Sequence, residues 1–148
     1  MKKIILVDDN KMFLETLKDF VKGMNKDFKC VAFSNPEDAL QYAIDKKEIY
    51  AVVSDYEMPQ MNGFEVMERL KEAEQYRKIP VIFLTADRSE ETEEKCFKMG
   101  AVDFIGKPFI PAIMIQRIKR TLELEAYRRS LEDMVESQLK RITQLQHE

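Results

Sequence analysis

Three aspartates in this sequence could place their carboxylates together at one edge of a β-sheet. Asp55 closely follows the β-branched apolar run at residues 51–53, and Asp8 and Asp9 follow a second apolar run at residues 4–7. In open α/β sheets, ligands bind beyond the carboxyl ends of the strands. Three carboxylates there would repel one another unless a hard divalent cation lay among them. Mg²⁺, with Mn²⁺ as an alternative, prefers such oxygen ligands, so the pattern predicts a metal-dependent site around Asp55.

A hydroxyl group and an ammonium group follow two later apolar runs. Thr85 comes directly after residues 81–84, and Lys107 follows residues 102–105. Phosphoryl transfer depends mainly on positioning and charge neutralisation, and carboxylate nucleophiles form aspartyl phosphates. Each residue alone is explained as well by a helix cap or an ordinary strand end. Their occurrence together, each after a predicted buried strand, predicts that Asp55 is a nucleophile that accepts a phosphoryl group.

Five apolar runs alternate with helical patterns before the C-terminal part of the chain. This (βα)5 order predicts an α/β fold with a doubly wound parallel sheet covered on both faces. Right-handed crossovers favour the flavodoxin-like strand order 2-1-3-4-5. Asn10 is predicted to cap the first helix, and Ser34 with Glu37 to form a capping box for the second. Gly100 is predicted to end the fourth helix.

The C-terminal part of the chain has a different character. From Ala112 to the end it contains no glycine or proline, which predicts an extended C-terminal helix of up to 37 residues. The chain therefore divides into a globular domain, residues 1–122, and a helical extension, residues 123–148. A stripe of residues spaced alternately three and four apart predicts a parallel two-stranded coiled coil and hence a homodimer, with a single solvated helix as the alternative. The stripe consists of Leu124, Tyr127, Leu131, Met134, Gln138, Arg141 and Leu145; Val135, Leu139 and Ile142 widen it, whereas Gln138 and Arg141 interrupt it.

The overall composition argues against several classes of function. The 148 residues carry a net charge of −3, and the isoelectric point lies near 5.4, which disfavours a nucleic-acid partner. No run approaches the roughly 18 apolar residues of a membrane span. The apolar run after Lys2 and Lys3 is too short for a secretory signal, so a cytoplasmic protein is expected. Cys30 and Cys96 are expected to be buried, reduced core thiols.

Four short motifs carry a resemblance to a known family. They are Val7-Asp8-Asp9-Asn10, Ser54-Asp55-Tyr56-Glu57-Met58-Pro59-Gln60-Met61-Asn62-Gly63, Leu84-Thr85-Ala86 and Lys107-Pro108-Phe109. With these motifs, residues 1 to about 122 resemble the receiver domain of bacterial two-component response regulators. The resemblance implies that Asp55 accepts a phosphoryl group from the phosphohistidine of a sensor histidine kinase or a phosphotransfer protein. It also implies that Asp8, Asp9, Asp55 and the backbone carbonyl of Glu57 bind Mg²⁺.

The same resemblance assigns roles to residues around the phosphoryl acceptor. It implies that Lys107 contacts the phosphoryl group and that the Lys107–Pro108 peptide bond is cis. Glu57 and Asp87 would tune the lifetime of the phosphorylated state.

A switch pair is also implied by the resemblance. Thr85 would move toward a phosphoryl oxygen while the ring of Phe104 turns inward. Because Phe104 has no hydroxyl group, the outward hydrogen bond that a tyrosine could form is absent here.

Two other classes of function compete with a regulatory phosphoacceptor. A phosphatase of the haloacid-dehalogenase type also uses an aspartyl nucleophile and Mg²⁺ at a strand end. Its Asp-x-Asp pattern is not met, because Glu57 occupies the second position, and no cap domain is present. The other class is a constitutive dimerisation scaffold with an idle receiver. We therefore expect no enzyme beyond self-phosphotransfer and self-dephosphorylation.

The helical extension carries a resemblance of its own. Residues 131–139 are similar to linkers that join receivers to cyclic-dinucleotide or kinase output domains. This similarity predicts that the chain belongs to a longer protein, whose output the receiver would control.

Overall fold

Five parallel strands form one sheet. The computed structural model describes residues 2–24, 26–46, 48–86, 89–106 and 110–146. The strands are β1 (Lys2–Val7), β2 (Phe28–Phe33), β3 (Ile49–Asp55), β4 (Val81–Thr85) and β5 (Asp103–Gly106). They lie in the order β2-β1-β3-β4-β5, and each neighbouring pair is parallel. The predicted strand order is confirmed.

Helices connect the strands and cover both faces of the sheet. They are α1 (Lys11–Met24), α2 (Pro36–Lys46), α3 (Gly63–Lys71), α4 (Glu90–Lys98) and α5 (Pro111–Gln146), and a short 3₁₀ helix, Glu74–Tyr76, follows α3. Successive side chains on a strand point to opposite faces. On β1, Ile4 and Leu6 therefore pack with α1 and α5, whereas Ile5 and Val7 pack with α2, α3 and α4. The predicted doubly wound, flavodoxin-like (βα)5 fold is confirmed.

Two of the predicted helix boundaries are confirmed. Asn10 caps α1, because its Oδ1 accepts a hydrogen bond from the N–H of Phe13 at 3.1 Å. Gly100 follows α4 with a φ of 104°, a left-handed conformation that glycine adopts without steric cost.

The predicted capping box at the start of α2 is wrong. The helix begins at Pro36, one residue later than a cap at Ser34 requires. Asn35 takes the capping position, and its Oδ1 accepts a hydrogen bond from the N–H of Glu37 at 2.8 Å. Proline is favoured at the first helical position because its ring fixes φ and its missing N–H needs no partner there. The residue directly before Pro36 therefore becomes the cap.

The long C-terminal helix is present as predicted. It spans 36 residues, or about 54 Å at 1.5 Å per residue. Met114, Ile118 and Leu122 on its first half are buried against the sheet. Residues 130–146 are all exposed. None of the helices among the described residues combines the length and the apolar character of a transmembrane segment.

The two cysteines occupy different environments. Cys96 is fully buried, as predicted, and neither cysteine forms a disulfide. Cys30 lies on the edge strand β2 and is only half-buried, so the prediction of full burial is wrong for this residue. Partial burial still raises the pKa of the Cys30 thiol, against a weaker lowering by Lys18 and Lys22.

Candidate functional site

The three predicted carboxylates meet at the carboxyl edge of the sheet. The register of β1 and β3 pairs Val7 with Ser54, so Asp8 and Asp55 follow paired positions on neighbouring strands. Oxygen atoms of Asp8, Asp9 and Asp55 lie within 4.8 Å of one another. Asp8 is 0% exposed and Asp55 3% exposed, whereas Asp9 is open to solvent. Negative charge is thus concentrated where a solvent-borne cation or phosphoryl donor can approach.

Main-chain hydrogen bonds fix the positions of Asp8 and Asp55. The N–H of Asp8 donates to the carbonyl of Phe33 at 3.1 Å, and Oδ1 of Asp8 accepts a hydrogen bond from the N–H of Asn10 at 2.9 Å. The carbonyl of Asp55 accepts a hydrogen bond from the hydroxyl of Ser54 at 2.9 Å, and the N–H of the next residue, Tyr56, donates to the carbonyl of Leu84 on β4 at 2.9 Å. The two carboxylates therefore stand on backbone held by neighbouring strands, which limits how far they can move apart.

Glu57 links the phosphoacceptor candidate to the switch candidate. The N–H of Glu57 donates to Oδ1 of Asp55 at 3.4 Å, and the hydroxyl of Thr85 donates to Oε1 of Glu57 at 3.3 Å. Thr85 is fully buried at the end of β4. Nothing in the sequence pattern signals the Thr85–Glu57 contact, because 28 positions separate the two residues.

The loop after β3 approaches the site closely at Gly63. The N–H of Gly63 donates to the carbonyl of Tyr56 at 2.7 Å. A Cβ atom at this position would lie 2.6 Å from the ring of Phe83 and 3.0 Å from the carbonyl oxygen of Asp55. Only glycine fits this approach without displacing its neighbours. The next element, α3, is capped by Asn62, whose Oδ1 accepts a hydrogen bond from Glu65 N–H at 2.9 Å.

Phe104 belongs to a cluster of three aromatic rings next to the site. It is 7% exposed, and its ring centroid lies 6.1 Å from that of Tyr56 and 6.3 Å from that of Phe83, both edge to face. Tyr56 and Phe83 are themselves 5.6 Å apart. The ring of Phe104 is therefore turned inward. The sequence pattern did not single out Tyr56 and Phe83 as neighbours of Phe104, although side-chain alternation sends Tyr56 to the face opposite Asp55.

Three predicted site residues lie outside the described residues. They are Lys107, Pro108 and Asp87, so their roles stay predictions. Gly106, the last described residue of β5, pairs with Thr85 on β4.

The chemistry of the three carboxylates indicates which kind of metal they suit. Oxygen ligands favour hard cations such as Mg²⁺, whereas softer metals favour imidazole and thiolate groups. The cluster consists of aspartates alone. Its donor set therefore fits Mg²⁺ or Mn²⁺.

Comparison with known proteins assigns the fold to a family. A family model described as the response regulator receiver domain matches residues 4–119. The chain belongs to this receiver family. The rice two-component response regulator ORR11 (Oryza sativa) is 25% identical to this receiver over 119 residues, covering 80% of each protein. The cyclic di-GMP phosphodiesterase response regulator RpfG of Xanthomonas campestris is 29% identical over 121 residues. The aligned part covers 82% of this chain and 32% of RpfG.

A solved structure agrees with this assignment. The chemotaxis protein CheY4 of Vibrio cholerae superposes with a TM-score of 0.73 at 26% identity, covering 82% of this receiver and 98% of CheY4. The chain is thus a two-component response regulator. The family match ends at residue 119, inside α5, and the helical extension lies beyond it.

Proposed function

We propose that this receiver accepts a phosphoryl group on Asp55 and thereby changes a downstream partner or output. The observation that carries the proposal is the cluster of carboxylates from Asp8, Asp9 and Asp55, held within 4.8 Å at the carboxyl edge of a receiver fold. The donor is the phosphohistidine of a sensor histidine kinase or a phosphotransfer protein. Asp55 is the acceptor because it alone ends a central strand between the acid pair and Thr85.

The transfer step forms one bond and breaks another. A carboxylate oxygen of Asp55 bonds to phosphorus while the phosphorus–nitrogen bond to the donor imidazole breaks, and that nitrogen keeps the electron pair. The product is an acyl phosphate on Asp55. Lys107 neutralises charge on the transferred group, and the hydroxyl of Thr85 donates to one of its oxygens.

Asp8, Asp9, Asp55 and the backbone carbonyl of Glu57 hold Mg²⁺, with Mn²⁺ as the alternative, in this proposal. When bound, a divalent cation neutralises part of the negative charge that would repel the incoming phosphoryl group. Asp8 and Asp9 differ in their surroundings: Asp8 is buried and accepts a hydrogen bond from the N–H of Asn10, whereas Asp9 is open to solvent.

A small-molecule phosphodonor tests the assignment of Asp55. Incubation of the full chain with acetyl phosphate and Mg²⁺ should add the mass of one phosphoryl group, and Asp55→Asn should abolish the adduct. The matched control is Asp45→Asn, since Asp45 is an exposed carboxylate on α2 and should leave labelling unchanged. Circular dichroism establishes that each variant is folded. Continued labelling of a carboxylate in Asp55→Asn would refute the assignment.

The same experiment separates the competing classes of function. A slowly decaying adduct on Asp55 supports the regulatory phosphoacceptor. Rapid turnover of small phosphoesters would instead indicate an aspartyl-nucleophile phosphatase. A folded chain that acquires no adduct would indicate a constitutive scaffold with an idle receiver.

The signal leaves the site through β5 and α5 in this proposal. Thr85 exchanges Glu57 for the phosphoryl group, and the inward ring of Phe104 is favoured in the phosphorylated state. Support comes from Asp103, the residue before Phe104. Its Oδ1 accepts a hydrogen bond from the N–H of Phe104 at 2.8 Å. Asp103 also accepts hydrogen bonds from Arg117 at 2.6 and 3.3 Å and from Thr121 at 3.3 Å, both on α5. A shift of β5 at Phe104 would therefore displace α5.

The output side of the proposal is a homodimer formed by the helical extension. The apolar stripe of this extension is exposed. The extension itself is a continuation of α5, the helix that contacts β5. A coupling of about 1–3 kcal/mol, typical of allosteric proteins, would suffice to change the geometry of the pair. Sedimentation of the full chain at micromolar concentrations tests the pairing. A full chain that stays monomeric would refute it without affecting the assignment of Asp55.

A further inference from the structure

From Leu124 onward, α5 exposes a band of large apolar side chains. Each of them is between 44% and 66% exposed. They are Leu124, Tyr127, Leu131, Met134, Val135, Leu139, Ile142 and Leu145. The start of the same helix buries Met114, Ile118 and Leu122 on the receiver, so only a separate partner could bury the exposed band.

The exposed band lies on the side of α5 that faces away from the receiver. At about 100° per residue, Leu124, Tyr127 and Leu131 point roughly 150° from the direction of the buried residues Ile118 and Leu122. The receiver-facing side is anchored further along the helix at Arg129. Its guanidinium donates to the carbonyl of Tyr50 at 2.9 Å and stacks over the Tyr50 ring at 4.4 Å. A partner helix can therefore reach the band while α5 stays docked.

The spacing of the band changes along the helix. Leu131 follows Leu124 by seven residues, but Ile142 follows Leu131 by 11. Leu124 and Ile142 are thus 18 residues apart, as are Tyr127 and Leu145. Eighteen residues make about five turns of an α-helix, so both pairs lie in line along one straight face.

A strict seven-residue repeat would put other side chains into the contact surface between the two helices. Continued from Leu131, this repeat places Gln138 at one core position of the interface and Arg141, three residues later, at the other. A buried, unpaired guanidinium loses its hydration without compensation. The 11-residue step replaces Arg141 by the neighbouring Ile142, and Arg141 then stays in water. Burial of apolar surface therefore favours the step of 11 residues.

The charges of this segment favour a second copy of the same chain as the partner. Residues 124–145 carry four acidic side chains, Glu125, Glu132, Asp133 and Glu136, and four basic ones, Arg128, Arg129, Lys140 and Arg141. Several pair within the helix: Arg128 bonds Glu125 at 2.8 Å and Glu132 at 2.6 Å, and Lys140 bonds Glu136 at 3.4 Å. Two identical helices therefore meet without net repulsion. An anionic membrane would favour a basic polar face, which this balanced helix does not offer.

We propose that two copies pair in parallel through a seam made of Leu124, Tyr127, Leu131, Ile142 and Leu145, in which an 11-residue step excludes Arg141. The proposal rests on the homodimer proposed above and specifies its contact surface. Met134 and Val135 both border the seam at the step. A seven-residue repeat gives a left-handed supercoil and an 11-residue repeat a right-handed one. The step from Leu131 to Ile142 therefore cancels the supercoil of the first heptad, and the two helices continue nearly straight.

Disulfide trapping distinguishes the two possible seams. In a full chain with Cys30→Ser and Cys96→Ala, single cysteines are introduced as Arg141→Cys and Ile142→Cys, with Leu131→Cys as a control that belongs to both seams. Parallel helices bring seam positions within the Cα separation that a disulfide needs. Mild oxidation should cross-link Leu131→Cys and Ile142→Cys, each roughly tenfold faster than Arg141→Cys.

Dissociation constants in the native cysteine background provide a second measurement. By sedimentation, Ile142→Gln should weaken the dimer at least about tenfold because an apolar seam residue is lost. Arg141→Gln should change it by less than about threefold, as expected for an exposed charge.

The outcomes separate this inference from the proposals on which it rests. Faster cross-linking of Arg141→Cys than of Ile142→Cys would overturn the step and leave the dimer standing. A dimer in which Leu131→Cys also fails to cross-link would overturn the parallel seam. A monomeric full chain would overturn both the seam and the homodimer, whereas the acetyl phosphate adduct on Asp55 would be unaffected.

Discussion

At the scale of single residues, Gly63 determines how closely the loop after β3 approaches the phosphoacceptor. Its N–H bonds the carbonyl of Tyr56, and the space that a side chain would need is filled by Phe83 and by the backbone of Asp55. The identity of this residue therefore matters for the fold and for the position of Asp55 together.

We predict that Gly63→Ala destabilises the protein by about 1–3 kcal/mol, the usual cost of overpacking a tight site. Its Cβ would lie 2.6 Å from the ring of Phe83. The control is Gly23→Ala on α1, where a Cβ meets nothing within 4 Å, and it should stabilise by up to about 1 kcal/mol. Urea denaturation measures both. Equal stability of Gly63→Ala and the native chain would show that the loop can retreat.

Asp9 is the exposed member of the carboxylate cluster, and its removal tests the metal site. Asp9→Ala should weaken Mg²⁺ binding about tenfold or more, because hard cations depend on the number of carboxylate ligands. NMR titration of the backbone amides near Asp8 measures the affinity without phosphorylation. Asp19→Ala, an exposed acid on α1, is the control. An undiminished Mg²⁺ affinity of Asp9→Ala would show that Asp9 is not a metal ligand.

At the scale of elements, a single buried tyrosine ties α2 to the segment after α3. Tyr76 is 2% exposed, and its hydroxyl donates to the carbonyl of Ala43 at 2.7 Å. Ala43 lies in the last turn of α2, where helix carbonyls lack partners within the helix. Burial raises the pKa of the Tyr76 hydroxyl, partly offset by a backbone hydrogen bond from Ile49. The hydroxyl therefore remains a donor over the neutral range.

We predict that Tyr76→Phe costs about 1–3 kcal/mol, because the buried carbonyl of Ala43 loses its donor. Tyr42→Phe is the control, since Tyr42 is only partly buried on α2 and keeps its ring contact with Phe33, so the free energy of unfolding should change by less than about 0.5 kcal/mol. The contribution of Tyr76 should be complete below about pH 10, the ordinary tyrosine pKa, and should fall as the pH rises through the raised folded-state value. Equal denaturation midpoints for the two variants would show that the hydrogen bond from Tyr76 to Ala43 does not contribute to the free energy of unfolding.

At the scale of the whole molecule, α5 belongs to two structures at once. Its first half completes the receiver core through Met114, Ile118 and Leu122, and its second half is exposed from residue 130 onward. The contact of Arg129 with Tyr50 marks the boundary. A chain that ends at Glu123 keeps every buried residue of α5 and loses the apolar band.

We predict that truncation after Glu123 leaves a folded receiver that still accepts a phosphoryl group. The melting temperature of the full chain should rise with protein concentration, because dimerisation stabilises the folded state by mass action. That of the truncated chain should not. Calorimetry at several concentrations provides the comparison. Concentration dependence in both chains would mean that the receivers, rather than the helical extension, hold the pair together.

Local patterns in the sequence determined the fold and much of the site. The apolar runs and their helical connections predicted the strand order, because right-handed crossovers leave few alternatives. They also predicted that Asp8, Asp9 and Asp55 meet, since all three follow strands that end at one edge of the sheet. The length of α5 followed from the absence of glycine and proline after Ala112. Each of these inferences depends on short-range spacing, which a single sequence displays directly.

Tertiary structure alone decided the contacts between residues far apart in the chain. The hydroxyl of Thr85 donates a hydrogen bond to Glu57, Tyr56 and Phe83 both contact the ring of Phe104 edge to face, and Arg129 reaches Tyr50 across 79 positions. The sequence allows many partners for each of these side chains. Which one is chosen depends on strand register and on the direction in which α5 leaves the domain. Both are fixed by packing of the whole core, and no local pattern encodes them.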